Sequence, residues 1–385
     1  MPRMANPPLS DLLAHVQNDE DAYLTTLRTL VEHESPSHDP TAANRLAGHL
    51  AEVLAGDGWQ VERLPADGVG DIVRARLGGA DPTGATLLLA HYDTVWPLGT
   101  LAEMPWRRDG DRVAGPGVLD MKAGIAGALH AVRAVRAVGQ LRGPVTLLIT
   151  SDEEIGSHAS RRLIEEEARR HARVLVLEPG RDDGALKVGR KGVGEVRVEL
   201  RGVSAHAGLN PQDGASALRE LAHLLLYAEG LADPDAGTTV NLTVASGGST
   251  SNVVAESASA RIDVRIATVA EGERILTALR SYRPRDPRVE VRVEADLNRP
   301  PMEATPANRA LLAEARERLE GLGLDLGEAV VGGASDGNFT SALGVATLDG
   351  LGSVGGGAHA RHEHVRLRET LQRVALTASL LLKIP

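Results

Sequence analysis

Histidines and acids gather at three places where a short apolar run ends. His91-Tyr92-Asp93-Thr94-Val95 follows the run 86–90, Ser151-Asp152-Glu153-Glu154 follows 145–150, and Glu178-Pro179 follows 173–177. Ligands of open α/β sheets bind at the carboxyl ends of strands, so three such ends bearing a His, a Glu pair and a Glu point to one shared site. In His91-x-Asp93 the two side chains can lie on one side of an extended segment. That suits a metal-binding imidazole whose other ring N–H is held by a carboxylate, the alternative being a surface His–Asp pair. Glu153 and Glu154 offer two carboxylates from one turn, one able to bind a cation while its neighbour moves a proton. Acid runs of this kind are usually solvent-facing, and Glu165 to Glu167 are expected to be so. Asp120, in Gly115-Pro116-Gly117-Val118-Leu119-Asp120-Met121-Lys122, stands at a helix start, where it is either a ligand or an N-cap.

Late in the chain, Gly350-Leu351-Gly352-Ser353-Val354-Gly355 formally matches a dinucleotide fingerprint. The motif needs a following helix, a second strand and an acidic ribose ligand about 20 residues on, and the remaining chain is too short for them. The glycines are expected instead to shape a flexible loop that delivers His359 of His359-x-x-His362-Glu363-His364, with the other two histidines at the rim. The 385 residues include no cysteine, so disulfides, thiol nucleophiles and thiolate metal sites are excluded and any metal rests on His, Asp and Glu. Forty-two basic against fifty-two acidic residues give a net charge of −10, which argues against nucleic acid and membrane surfaces as partners. No apolar run reaches the roughly 20 residues of a membrane span, nor does 1–20 read as a signal peptide, which predicts a cytoplasmic protein.

The elements that must position these groups change character along the chain. The runs 86–90, 145–150 and 173–177 are continuously apolar, as strands covered on both faces are, and 121–138 repeats Ile125, Leu129, Val132 and Val135 at helical spacing. This is a layered α/β domain. From about Gly189 the pattern alternates, Val196, Val198 and Leu200 against Glu195, Arg197, Glu199 and Arg201, as in a strand with one wet face. A helix at 213–231, strands at 238–245 and 258–266, a helix at 271–282 and a strand at 289–294 complete a β-α-β-β-α-β, ferredoxin-like layer. After Asn298 come a long helix at 308–322, further apolar runs and a closing helix at 367–383. The organisation expected is a catalytic domain in two parts, 1–187 and 298–385, interrupted by an inserted lid at 188–297.

As a set, these motifs resemble the M20 family of dinuclear zinc metallopeptidases, in particular its glutamate carboxypeptidase branch. The resemblance covers nearly the whole chain and includes Ser151-Asp152-Glu153-Glu154-Ile155-Gly156-Ser157 and Gly357-Ala358-His359. It implies a zinc-exopeptidase-type α/β catalytic domain with a mixed central sheet flanked by helices, and a lid that forms a homodimer. It implies two Zn2+ per subunit, with Co2+ or Mn2+ as substitutes: His91, Asp120 and Glu178 on one ion, Asp120, Glu154 and His359 on the other. It makes Glu153 the general base and acid and Asp93 the support of His91. In the lid, Gly202-Val203-Ser204-Ala205-His206-Ala207-Gly208 is similar to the segment whose histidine stabilises the oxyanion, often in the other subunit's site. Asn252 and Arg265 match substrate-contacting positions, and a guanidinium suits a free carboxylate. Arg265 also shares its strand face with Arg261 and Asp263, so a structural ion pair is the alternative.

The function this implies is hydrolysis of an amide bond, releasing a C-terminal amino acid such as glutamate from a small peptide or N-acyl amino acid. N-acyl-amino-acid deacylation and dipeptide cleavage use the same core, so the motifs do not choose among them. A non-catalytic metal-binding dimer would be expected to lack a ligand or the base, and none is missing. A nicotinamide oxidoreductase falls with the rejected glycine motif.

Overall fold

The computed structural model of the chain describes residues 9–78, 84–320 and 326–383. Residues 1–8, part of the N-terminal stretch judged for a leader, and Leu322, the expected end of a helix, lie outside the described residues. The main strands are β1 (Gln60–Leu64), β2 (Ile72–Leu77), β3 (Thr86–His91), β4 (Val145–Thr150), β5 (Arg173–Val176), β6 (Gly192–Arg201), β7 (Thr239–Gly247), β8 (Ser257–Ile266), β9 (Glu290–Arg299) and β10 (Ala346–Leu348). The principal helices are α1 (Leu9–Asn18), α2 (Glu20–Glu32), α3 (Pro40–Gly56), α4 (Ala123–Val138), α5 (Arg161–Ala168), α6 (Ala217–Glu229), α7 (Val269–Arg280), α8 (Pro306–Glu320), α9 (Gly337–Ala342) and α10 (Leu367–Leu381). Two compact units result, one of Met1–Gly189, Ala304–Val331 and Ser335–Pro385, the other of Arg190–Glu303 and Gly332–Ala334. Among the described residues no helix is long and apolar enough to cross a membrane.

The first unit is built on a six-stranded sheet in the order β1-β2-β4-β3-β5-β10. Strands β4, β3, β5 and β10 run parallel, while β2 and β1 add an antiparallel edge, so the sheet is mixed. Every residue of β3, β4 and β5 is buried. Because successive side chains point to opposite faces, one strand feeds two cores. Leu88 and Ala90 join Leu147, Ile149, Leu175 and the apolar faces of α2, α3, α4 and α10. Leu87 and Leu89 join Leu148, Val174 and Val176 under Ile164 of α5 and Phe339 of α9. That two-sided burial is why these runs read as continuous rather than alternating. Helix α3 starts where Asp39 accepts the Ala42 N–H at 2.9 Å and Pro40 supplies a pre-set φ.

The second unit has the order β7-β8-β6-β9, all antiparallel, with chain order β6-α6-β7-β8-α7-β9, the ferredoxin-like arrangement. On β6, Val196, Val198 and Leu200 are buried against α6 and α7 while the residues between them face solvent. Helix α6 begins later than the expected 213, because Pro211–Asp213 makes a separate turn and Ser216 then caps it by accepting the Arg219 N–H.

Candidate metal centre

Register places the first pair of donors. In the parallel β3 and β5, Leu89 pairs with Val176, so His91 and Glu178, each two residues further on, emerge side by side at the same sheet edge. His91 is 1% exposed. Its Nδ1 lies 3.1 Å from the Asp93 carbonyl oxygen and 3.4 Å from the Asp93 carboxylate, which directs Nε2 to the open side. There it meets Asp120 Oδ1 at 3.2 Å, Glu178 Oε1 at 3.4 Å and Glu153 Oε2 at 4.0 Å.

The remaining donors come from loops. Asp120 precedes α4 by three residues and its side chain caps nothing; instead its two oxygens diverge, Oδ1 to His91 and Oδ2 to His359 Nε2 at 3.4 Å. His359 also meets Glu154 Oε2 at 3.1 Å and is held at a positive φ of 59°, a conformation costly for a non-glycine residue. All five expected ligand residues therefore surround one point in the first unit, with Asp120 between the two imidazoles. Glu153 is near enough to join them: His91, Glu153 and Glu178 form one group of donors, and His91, Asp120 and Glu154 another, each within 4.8 Å.

Electrostatics bind the cluster together. Burial opposes charge on His91, but hydrogen bonds to Asp120, Asp93 and Glu178 raise its pKa well above the ordinary imidazole value. Hydrogen bonds to Asp120 and Glu154 push His359 up to about 10. Burial would raise Asp120, yet the two imidazoles hold it well below the usual carboxylate range. Burial raises Glu154 against the pull of His359. Lys122 is buried with its Nζ on the His33 carbonyl, and desolvation lowers its pKa to about 7.

Several supports were not legible in the sequence. The Asp93 carboxylate does more than attend His91: it accepts the N–H groups of Glu153 and Glu154 at 3.2 Å each and the Ser37 hydroxyl at 2.7 Å, fixing the Glu153–Ile155 turn. Asp336 anchors that turn's far side by accepting the Thr150 and Ser157 hydroxyls. Glu363, passed over between two histidines, is fully buried and accepts four N–H groups around Asp120. No local pattern marks it beyond its place four residues after His359.

Two expectations are corrected. The segment Gly350 to Gly355 is buried rather than a flexible loop: a Cβ on Gly352 would fall 1.8 Å from the Leu177 carbonyl oxygen, so glycine there permits close packing beside Glu178. Glu167 is not solvent-facing. It lies on the inner face of α5 with Ile164 and Ala168 and meets Arg74 at 2.9 Å and Arg76 at 2.8 Å.

In the second unit, the structure brings His206 and Asn252 together and sets Arg265 apart. The loop of His206 pairs with the segment of Asn252, Ala207 donating to the Asn252 carbonyl and Val254 to that of Ala205. His206 Nδ1 accepts the N–H groups of Gly208 and Leu209 at 3.1 Å each, so the neutral ring carries its proton on Nε2. Arg265 stands at the other end of β8, paired through Nε and Nη2 with Asp263 at 2.9 to 3.1 Å. From Ser257, beside the His206 loop, to Arg265 is roughly 26 Å of strand at ~3.3 Å per residue.

Comparison with known proteins identifies the family of this chain. The model of "Peptidase family M20/M25/M40" matches residues 87–383. Carboxypeptidase G2 of Pseudomonas sp. (strain RS-16) is 31% identical over 375 residues, 95% of this chain and 90% of the relative. Succinyl-diaminopimelate desuccinylase of Gluconobacter oxydans (strain 621H) is 31% identical over 85% of this chain and 89% of its own length. Among solved structures, aminopeptidase PepT from Bacillus cereus ATCC 10987 shares the fold, with a TM-score of 0.81 at 20% identity over 94% of this chain and 98% of that one. The chain belongs to peptidase family M20/M25/M40, and is a hydrolase of the metallopeptidase and amidohydrolase kind.

Proposed function

We propose that this chain is a two-zinc exopeptidase that releases a C-terminal amino acid, glutamate being the first to test, from a small peptide or N-acyl amino acid. The observation that carries the reading is Asp120, one carboxylate whose two oxygens face two imidazoles, each with a further carboxylate beside it. The donor set fits zinc. It is two imidazoles and three carboxylates without sulfur, and its donor atoms lie 3.1 to 3.4 Å apart, against about 3.3 Å between neighbouring donors around a tetrahedral ion at ~2.0–2.1 Å. His91, Asp120 and Glu178 would hold one ion and Asp120, Glu154 and His359 the other; Co2+ or Mn2+ would suit the same donors. Bound there, the cations would polarise the scissile carbonyl and lower the pKa of a water.

Glu153 is read as the proton carrier rather than a ligand because Asp120 and Glu178 lie closer to His91 Nε2, at 3.2 and 3.4 Å against 4.0 Å. Its carboxylate takes a proton from the attacking water and returns it to the leaving nitrogen. Asp93 keeps His91 oriented and the Glu153–Ile155 turn in place. The Nε2–H of His206 donates to the substrate oxygen as that oxygen gains charge. Asn252 contacts the substrate beside His206, and Arg265 pairs with its free carboxylate.

A substrate of dipeptide size cannot span the two ends of β8, so His206 and Arg265 would serve one substrate only if contributed by two copies. This supports a homodimer formed through the second unit, whose edge strand β7 leaves Leu242 and Val244 exposed. A deacylase reading draws on the desuccinylase relative of similar identity.

The test is zinc-reconstituted protein on a panel of folate-like glutamate conjugates, dipeptides and N-acyl amino acids, with and without chelator. Chelator-sensitive release of the C-terminal residue is expected. Cleavage confined to short N-acyl groups would favour the deacylase, and no hydrolysis of any member would contradict the reading.

A further inference from the structure

We propose that Glu363 is a positioning residue: its carboxylate fixes the backbone that presents Asp120 and so sets how that side chain divides between His91 and His359. The inference rests on the reading of Asp120 and His359 as metal ligands. The stretch from Gly117 to Met121 cannot satisfy itself as a helix would, since Gly117 has φ of 69° and Asp120 and Met121 have non-helical angles. Three of its N–H groups, those of Gly117, Leu119 and Asp120, converge instead on Glu363. Oε2 accepts from Gly117 at 2.9 Å and from the Trp96 indole at 2.9 Å; Oε1 accepts from Leu119 at 2.9 Å and from Asp120 at 3.2 Å. Each oxygen thus takes two donors, and the carboxylate is fully buried.

Only a carboxylate can do this. A carboxamide keeps one accepting oxygen and turns an NH2 toward two donors. Glu363 also belongs to the turn that carries His359, with Glu363 donating its N–H to Ala360 and Ala360 to Gly357, both at 2.9 Å. One short turn therefore supplies His359 to the centre and holds Asp120 opposite it. His91 and Glu178 owe their places to β3 and to the end of β5, so they do not depend on this clamp.

The test is zinc titration of chelator-stripped protein against a competing chromophoric chelator, comparing wild type, Glu363→Gln and Trp96→Phe. In Glu363→Gln the equivalent that needs both Asp120 and His359 is expected to weaken by about 10- to 100-fold, the scale on which hydrogen-bond partners of ligands act, while the other, which shares Asp120 but keeps the strand-borne His91 and Glu178, weakens by a smaller factor. Trp96→Phe removes one donor without touching the backbone, and should weaken the same equivalent by a smaller factor; it decides the matter if the Gln variant does not fold. Unchanged affinity, or both equivalents weakened alike as general loosening would cause, overturns the role of Glu363. Fewer than two equivalents in the wild type would overturn the two-zinc reading and this proposal with it.

Discussion

The two halves of the centre are held by different means. His91 and Glu178 sit at the ends of parallel strands whose every residue is buried, and the register of β3 on β5 aligns them. Asp120, Glu154 and His359 come from loops; His359 has 49% of its side chain exposed, and the group depends on Asp93, Asp336 and Glu363 for placement. A strand edge fixes a donor through the whole sheet, whereas a loop donor needs dedicated hydrogen bonds of its own. The contrast explains both where the centre should be fragile and which of its parts a sequence reveals.

The sharpest break would come from Asp120, the carboxylate that faces both halves. Asp120→Ala should lower activity by more than the ~10–100-fold cost of losing an outer hydrogen-bond partner, with zinc content falling in the same sample. Retention of both ions would mean that the halves do not share it. Glu153→Ala should lower kcat by about 100- to 10,000-fold with zinc retained, as loss of an acid–base group does. Zinc loss instead would make Glu153 a ligand, as its grouping with His91 and Glu178 permits.

Protons should sharpen the comparison further. His359, held up at about 10 by Asp120 and Glu154, must lose its proton before it can bind a cation. Zinc affinity should therefore climb with pH toward that value, read by competition titration at several pH values. In chelated protein the sign reverses. The stability gained from charged His359 is fully present below the ordinary imidazole value of 6.5 and is lost as pH rises through about 10. The smallest effects concern the metal-free fold: above about pH 10, where His359 has lost its charge, thermal melting should place His91→Ala about 1–3 kcal/mol below wild type and His359→Ala within ~0.5 kcal/mol. Equal losses would erase the distinction between strand and loop.

Legibility followed the same divide. The strands that carry His91 and Glu178 were plain because burial on both faces leaves continuous apolar runs, and the ferredoxin-like order was plain because one wet face leaves alternation. The five candidate ligands could be named through motifs. What escaped were long-range supports: Glu363 reaches Asp120 across 243 positions, and Asp336 reaches Ser157 across 179. Such bonds leave no periodicity. Glu167 reads as solvent-facing because its partners Arg74 and Arg76 lie on a strand 93 and 91 positions away, and Gly352 reads as part of a flexible loop because a close carbonyl leaves no mark in sequence.

The most direct test of the centre is anomalous diffraction at the zinc edge from crystals of the zinc-loaded protein. The result expected is two peaks per chain with the Asp120 carboxylate between them, one beside His91 and Glu178 and the other beside Glu154 and His359. A single peak, or a pair not joined by Asp120, would contradict it.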